Sequence, residues 1–217
     1  MKIIGIDPAP TKKSTVYDGE TFKDYDFQEL QNYLAELHQS IDDVLICWDA
    51  PLSFGLGCKI PFLCQHIEKF FSSKDGYVTP YGILAKRDYT CSHEMISQYI
   101  ESIRENRIEV KSSIPFNLVF NNSTLMGKKS MTEVRPSVAI WLWCKQYTTR
   151  KNWAYKKDTK VFDALIDILV NKEIIPKDTA SDIDNDNKLD AYIAWKLGEL
   201  WVKNNEQVVI LGDSRTG

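Results

Sequence analysis

Residues 2–10 read KIIGIDPAP, and residues 43–51 read DVLICWDAP. Both stretches are short runs of β-branched and other apolar residues that end in an aspartate, with a proline close behind it. Such runs predict buried strands, because strand-forming residues are concentrated in them and proline cannot continue the pairing. The two strands are expected to end at Asp7 and Asp49.

The sequence between these strands indicates how they are connected. Asp18 and Gly19 separate two short strand-like pieces, and an Asp-Gly pair in this setting predicts a hairpin turn. Apolar residues then recur at helical spacing over residues 27–40. A strand that follows such a crossover helix is expected to pair in parallel with the first strand. Asp7 and Asp49 should therefore be neighbours at one edge of the sheet.

The whole chain, residues 1–217, is predicted to be a single α/β domain with a partly helical insertion at about 54–127. Its centre is expected to be a mixed sheet, made of an antiparallel meander and parallel strands and flanked by helices. Other expected elements are helices over 62–71, 92–107, 161–171 and 189–204, strands in 115–121 and 207–213, and a strand followed by a helix in 131–143.

The composition indicates an ordinary globular protein. The chain has 217 residues, of which 43% are apolar and 26% charged, and this is enough for one core. No apolar run approaches the length of a membrane span, and the N-terminus lacks the pattern of a secretory signal. We therefore expect a cytoplasmic protein without a membrane partner. The five cysteines share no CxxC spacing, which favours reduced structural thiols.

A third group of carboxylates lies where the last predicted helix begins, in DNDNKLDAYIAW at residues 184–195. Asp186, Asn187 and Asp190 are spaced so that they share one helical face. Mg²⁺ and Mn²⁺ prefer oxygen ligands, which carboxylates at strand ends and on an adjacent helix can supply. Asp190 has a competing interpretation as a first-turn acid that the helix dipole favours.

The order of these features resembles the RNase H-like superfamily, and most closely its RuvC-like branch. The shared features are a strand ending in Asp7, a hairpin meander, a helix, a strand ending in Asp49 and a final helix with the pair Asp190-Ala191. In finer detail, IGIDPAP, CWDAPLSF, TEVRPSVA, NKLDAYIAW and VVILGD, in that order, resemble the predicted nucleases catalogued as domain of unknown function 429. The resemblance covers both ends of the chain and leaves out residues 55–115.

The resemblance implies a nuclease that hydrolyses phosphodiester bonds of nucleic acid with two Mg²⁺ or Mn²⁺ ions. Asp7 would bridge the two ions. The other implied ligands are Asp49, Glu133 and Asp190, with Asp186 and Asn187 beside them. The residues alone leave Glu133 open between a fourth carboxylate ligand and half of an ordinary ion pair. Asn187 departs from the acid or histidine usual in the branch, which motivates an alternative, a catalytically degenerate RNase H-like binding module.

A basic segment at residues 145–160 combines six basic residues with three aromatic ones. This composition is typical of a surface that follows a phosphate backbone and stacks on bases. A solvated helix and loop with ordinary core aromatics has the same composition, so both interpretations stay open. The candidate nucleic-acid-binding residues are Arg150, Lys151, Trp153, Lys156 and Lys157. Nothing in the segment distinguishes DNA from RNA.

Overall fold

A six-stranded mixed sheet lies at the centre of the residues that the structure describes. The computed structural model describes residues 1–9, 11–50, 52, 98–104, 107–113, 115–119, 128–144, 155–203 and 208. The strands are β1 (Lys2–Asp7), β2 (Ser14–Tyr17), β3 (Phe22–Tyr25), β4 (Val44–Trp48), β5 (Gln98–Arg104), β6 (Arg107–Ser113), β7 (Asn117–Leu118) and β8 (Lys129–Glu133). The order across the main sheet is β3-β2-β1-β4-β8-β7, with an antiparallel meander of β1 to β3 and parallel pairing from β1 through β7. The predicted α/β class with a mixed sheet is confirmed.

Helices cover both faces of this sheet. They are α1 (Phe27–Gln39), α2 (Pro136–Cys144), α3 (Thr159–Asn171), α4 (Lys177–Ala180) and α5 (Asp186–Val202). The side chain of Asp26 accepts a hydrogen bond from the backbone nitrogen of Glu29, and the side chain of Glu29 accepts one from the backbone nitrogen of Asp26. This reciprocal pair is a capping box, and it starts α1. Among the described helices, none is both long and apolar enough to cross a membrane.

The two central strands alternate between the faces of the sheet. Ile6 in β1 and Trp48 in β4 pair with each other, and both lie in the core beneath α1. Gly5 and Cys47 precede them, pair with each other and lie against α5. Because successive side chains of a strand point to opposite faces, the positions that directly follow Ile6 and Trp48 return to the face that α5 covers.

Several local predictions are confirmed within the described residues. Gly19 has a φ of 99°, the left-handed conformation that glycine adopts without strain, and it lies between the antiparallel strands β2 and β3. The helices predicted over 27–40 and 161–171 are α1 and α3. Strand β7 falls inside the range expected to be an insertion, yet it pairs with β8 of the main sheet. The helix expected at 62–71 lies outside the described residues, as does the closing strand apart from Val208.

The helix expected over 92–107 is wrong where the structure describes the chain. Strands β5 and β6 form an antiparallel pair whose register runs from Gln98 opposite Ser113 to Arg104 opposite Arg107. The prediction rests on the helical spacing of only three isoleucines, Ile96, Ile100 and Ile103, which is a weak signal in so short a segment. The β-branched residues of both segments favour a hairpin, and pairing between the two strands overrides the helical spacing.

Candidate metal centre

Three carboxylate groups meet where β1 and β4 end against the N-terminal part of α5. Asp7 is the last residue of β1, Asp49 directly follows β4, and Asp190 lies in the second turn of α5. One carboxylate oxygen from each residue lies within 4.8 Å of those of the other two. The structure therefore brings together the two aspartates that the sequence places at the sheet edge and the one it places on the last helix.

Gly5 sets the distance between β1 and α5. A methyl group added at Gly5 would overlap the backbone carbonyl oxygen of Ala191 and the backbone nitrogen of Trp195. Only a residue without a side chain allows the helix backbone to approach the strand so closely. Asp190 directly precedes Ala191, so this packing carries its carboxylate to the end of β1. Gly198 makes a second close approach, further along α5.

Asp190 is buried, and both of its carboxylate oxygens accept hydrogen bonds from protein donors. The Tyr155 hydroxyl donates to Oδ1 at 3.1 Å, and Lys156 Nζ donates to Oδ2 at 2.5 Å. The side chain of Asp190 is 1% exposed, whereas that of Lys156 is 49% exposed. A buried carboxylate needs such partners, because an unpaired buried charge costs several kcal/mol, as an order of magnitude. Tyr155 and Lys156 therefore hold Asp190 in place.

The pKa values show that the three aspartates crowd negative charge. Burial raises the pKa of Asp49 to about 7, with a further contribution from Asp190 and partial relief from Lys156 and Arg135. Burial also raises the pKa of Asp7, and the Asp190 and Asp49 carboxylates add to this effect. Burial raises the pKa of Asp190 as well, although the Lys156 ammonium opposes it. Each carboxylate is thus easier to keep charged when a cation lies beside it.

Glu133 lies close to the aspartates but is held in a different way. It pairs in the sheet with Trp48, whose side chain belongs to the core beneath α1 and not to the face that α5 covers. Its Oε1 forms an ion pair with Arg135 at 2.8 Å, and its Oε2 accepts a hydrogen bond from the backbone nitrogen of Leu52 at 2.9 Å. This geometry favours the ion-pair interpretation of Glu133 over a fourth metal ligand.

Two further candidate ligands lie at the start of α5. Asp186 is the first residue of the helix and is partly buried, and its charge contributes to the raised pKa of Asp7 and of Asp190. Asn187, the next residue, is exposed. Neither belongs to the group of three whose oxygens lie within 4.8 Å of one another. Asp186 therefore adds charge beside the site, and Asn187 lies at the surface.

The basic segment contributes to the acidic site in a way that its composition does not indicate. Tyr155 is buried and hydrogen-bonded to Asp190, so its ring is not presented to solvent for stacking on bases. Lys156 pairs with the same carboxylate, while the next residue, Lys157, is exposed. Other members of the predicted surface, at positions 150, 151 and 153, lie outside the described residues. The part that sequence reasoning missed is the contact of Tyr155 and Lys156 with Asp190.

The set of donors fits a hard divalent cation such as Mg²⁺ or Mn²⁺. All three side chains offer carboxylate oxygens, the ligands these ions prefer. Within the described part of the chain, the side chains of Asp7 and Asp49 form no hydrogen bond and no ion pair. Their oxygens are therefore available to a ligand.

No protein-family model, curated protein or solved structure matches the chain.

We expect the metal-free protein to lose stability as the pH rises from 5 to 7. The pKa of Asp49 is about 7 in the folded chain and is raised above its unfolded value. In this window the unfolded chain has released the proton and the folded chain still holds it, so the free energy of unfolding falls with increasing pH. The expected loss is on the order of 1 kcal/mol or more.

The measurement is urea unfolding at pH 5, 6 and 7 in the presence of a chelator. Asp49→Asn removes one of the three carboxylates whose pKa is raised, so it should make the pH dependence smaller, with Asp7 and Asp190 supplying the rest. Carboxylates whose pKa is lowered, such as Asp18 and Glu199, titrate below this window and do not mask the effect. Parallel pH profiles for wild type and variant would show that Asp49 keeps an ordinary pKa.

Proposed function

We propose that this chain is a nuclease that hydrolyses phosphodiester bonds of nucleic acid with the help of Mg²⁺ or Mn²⁺. The observation that carries the proposal is the convergence of Asp7, Asp49 and Asp190, with one oxygen from each within 4.8 Å of the others. Two strand ends and a helix, which are far apart in the sequence, build this cluster. Such a cluster of acids, two of them without hydrogen-bond partners among the described residues, is suited to a metal ion.

The arrangement of the sheet supports an RNase H-like fold of the RuvC-like branch. A three-stranded meander leads through α1 to β4, which pairs in parallel with β1. Asp7 ends the central strand β1, Asp49 follows its neighbour β4, and the helix with Asp190 lies across both strands. This is the order of elements and acids that the resemblance in the sequence leads us to expect.

The residues of the site have different roles in the proposed reaction. When bound, the metal ion activates water and offsets negative charge on the phosphate. Asp7 and Asp49 hold the ion, and Asp190 is kept in a fixed position by Tyr155 and Lys156. The half-exposed Lys156 presents its ammonium group at the rim of the cluster, where it attracts a substrate phosphate.

The test is cleavage of labelled single-stranded DNA, double-stranded DNA and RNA by the purified chain. We expect hydrolysis with Mn²⁺ or Mg²⁺ and none with EDTA, because the aspartates alone do not activate water. Restoring an excess of Mn²⁺ after EDTA treatment should restore the activity. Comparison of the three substrates also decides between DNA and RNA. Cleavage that persists in EDTA would contradict the proposal.

The ion pair between Lys156 and Asp190 favours one alternative function. A site that has lost its metal would be expected to neutralise a buried aspartate with a neighbouring lysine, as this chain does. The chain would then be a degenerate RNase H-like module that binds nucleic acid without cleaving it. Binding to DNA or RNA in a gel-shift experiment, without cleavage of any of the three substrates in Mn²⁺ or Mg²⁺, would favour this alternative.

A further inference from the structure

The contacts of Asp190 limit what it can offer to metal ions. Its Oδ1 accepts a hydrogen bond from the Tyr155 hydroxyl at 3.1 Å, and its Oδ2 accepts one from Lys156 Nζ at 2.5 Å. The two donors are consecutive residues in the turn that precedes α3. The carboxylate is only 1% exposed, so water does not compete for these two contacts. Each oxygen of Asp190 therefore already accepts one hydrogen bond, which makes it a poorer metal ligand than the carboxylates of Asp7 and Asp49.

The number of free carboxylates in the cluster is small. Asp7 and Asp49 are without hydrogen-bond partners among the described residues, whereas Glu133 uses one oxygen for Arg135 and the other for the backbone of Leu52. Two divalent ions about 4 Å apart need a bridging ligand and further carboxylates for each ion. Two free carboxylates can hold one ion whose remaining ligands are water and substrate oxygens, as Mg²⁺ commonly accepts.

The charges of the cluster also indicate that it holds one divalent ion. The three aspartates carry three negative charges, and the Lys156 ammonium neutralises one of them through its contact with Asp190. The remaining charge equals that of one divalent cation. A second divalent ion would meet the repulsion of the nearby ammonium group, which is strong because the surroundings are partly buried.

We propose that Lys156 takes the place of a second metal ion, so that the site binds one divalent cation through Asp7 and Asp49. Asp190 holds the Lys156 ammonium, and Tyr155 fixes the orientation of Asp190. The ammonium then supplies the second positive charge that faces the substrate phosphate, as lysine does in other phosphate sites. This inference rests on the proposed function, and it differs from the two ions that the resemblance implies.

Titration with Mn²⁺, followed by calorimetry and by electron paramagnetic resonance, tests this count. Wild type should bind one Mn²⁺ per chain and show no spectrum of a spin-coupled pair. Lys156→Gln removes the ammonium charge beside Oδ2 of Asp190, so it should bind two Mn²⁺ as a coupled pair, with about tenfold tighter binding of the first ion. Lys157→Gln is the matched control, because it removes the same charge from the exposed neighbour. It should behave as wild type.

Each other outcome overturns the inference in a recognisable way. Two coupled ions in wild type would overturn the inference, and this result does not depend on whether Lys156→Gln folds. If that wild-type protein also cleaves nucleic acid in a metal-dependent way, the proposed function still holds. Equal number and affinity of ions in wild type and Lys156→Gln would show that Lys156 does not replace an ion. If neither wild type nor Lys157→Gln binds Mn²⁺, the inference and the proposed function fail together.

Discussion

Replacement of Asp7 by asparagine is expected to abolish both metal-dependent cleavage and stabilisation by metal. At about 100 times its dissociation constant, Mn²⁺ should stabilise wild type by about 2.7 kcal/mol, since it binds only the folded chain. For a chain of this size, this corresponds to a rise in Tm of roughly 5–10 °C. Asparagine keeps the shape of the side chain and removes its charge, so the variant should show little or no rise. The measurement is a pair of melting curves, with Mn²⁺ and with EDTA.

The melting curves in EDTA compare the Tm of wild type and Asp7→Asn without metal. Burial and the neighbouring carboxylates raise the pKa of Asp7, so its charge is unfavourable in the metal-free protein. The variant should therefore melt no lower than wild type in EDTA. Asp184→Asn is the matched control, because Asp184 lies shortly before α5 and its side chain is 64% exposed. A rise in Tm with Mn²⁺ that is equal in wild type and Asp7→Asn would remove Asp7 from the metal site.

Among the substitutions proposed for this chain, Gly5→Ala is expected to produce the largest loss of stability. The added methyl group would overlap backbone atoms of α5, at Ala191 and Trp195, and backbone cannot move aside as a flexible side chain can. Overpacking usually costs about 1–3 kcal/mol, and we expect the upper end or more, with a fall in Tm of about 10 °C. Because α5 must shift, Asp190 moves away from Asp7, so the response to Mn²⁺ should weaken as well.

Gly19→Ala is the control for this variant. Gly19 has a φ of 99°, so alanine is strained there, at a cost of about 1–2 kcal/mol. That residue lies in the turn between β2 and β3, where an added methyl group would first meet the Trp195 side chain of α5, at 3.1 Å from Nε1. The indole ring can shift by a few tenths of an ångström, whereas the helix backbone beside Gly5 cannot. Gly19→Ala should therefore lower the Tm less and keep the full response to Mn²⁺. A Tm of Gly5→Ala within 1–2 °C of wild type, about the effect of an ordinary surface change, would show that β1 and α5 are not packed so closely.

The predictable part of the site follows from local patterns. Asp7 and Asp49 each end an apolar run, and parallel pairing of two strands brings their ends to the same edge of the sheet. Asp190 shares a helical face with apolar residues, and that face is the one packed on the sheet. The spacing of apolar residues and the positions of the acids are enough to predict these placements. The same is true of the hairpin at Gly19, where the turn requires a left-handed residue.

Other parts depend on contacts that spacing does not specify. The resemblance implies Glu133 as a ligand, but in the structure it lies opposite Trp48 and pairs with Arg135. A shift of one residue in register exchanges the faces of a strand, and sequence spacing does not give the register between distant strands. Tyr155 and Lys156 meet Asp190 across 34 or 35 residues of sequence, and their composition suggested contacts with nucleic acid instead.

The packing of α5 on β1 also bears on how the protein is made by the ribosome. β1, α1 and β4 emerge first, but the sheet face beside Asp7 and Asp49 stays uncovered until α5 has left the exit tunnel. Leu45 and Cys47 of that face pack in the folded chain with Ala194 and Trp201 of α5, so they lack these partners during this interval. One docking event covers them and delivers Asp190. Until residue 190 has left the tunnel, a chain that lies next to ribosomal RNA therefore lacks the complete acidic site.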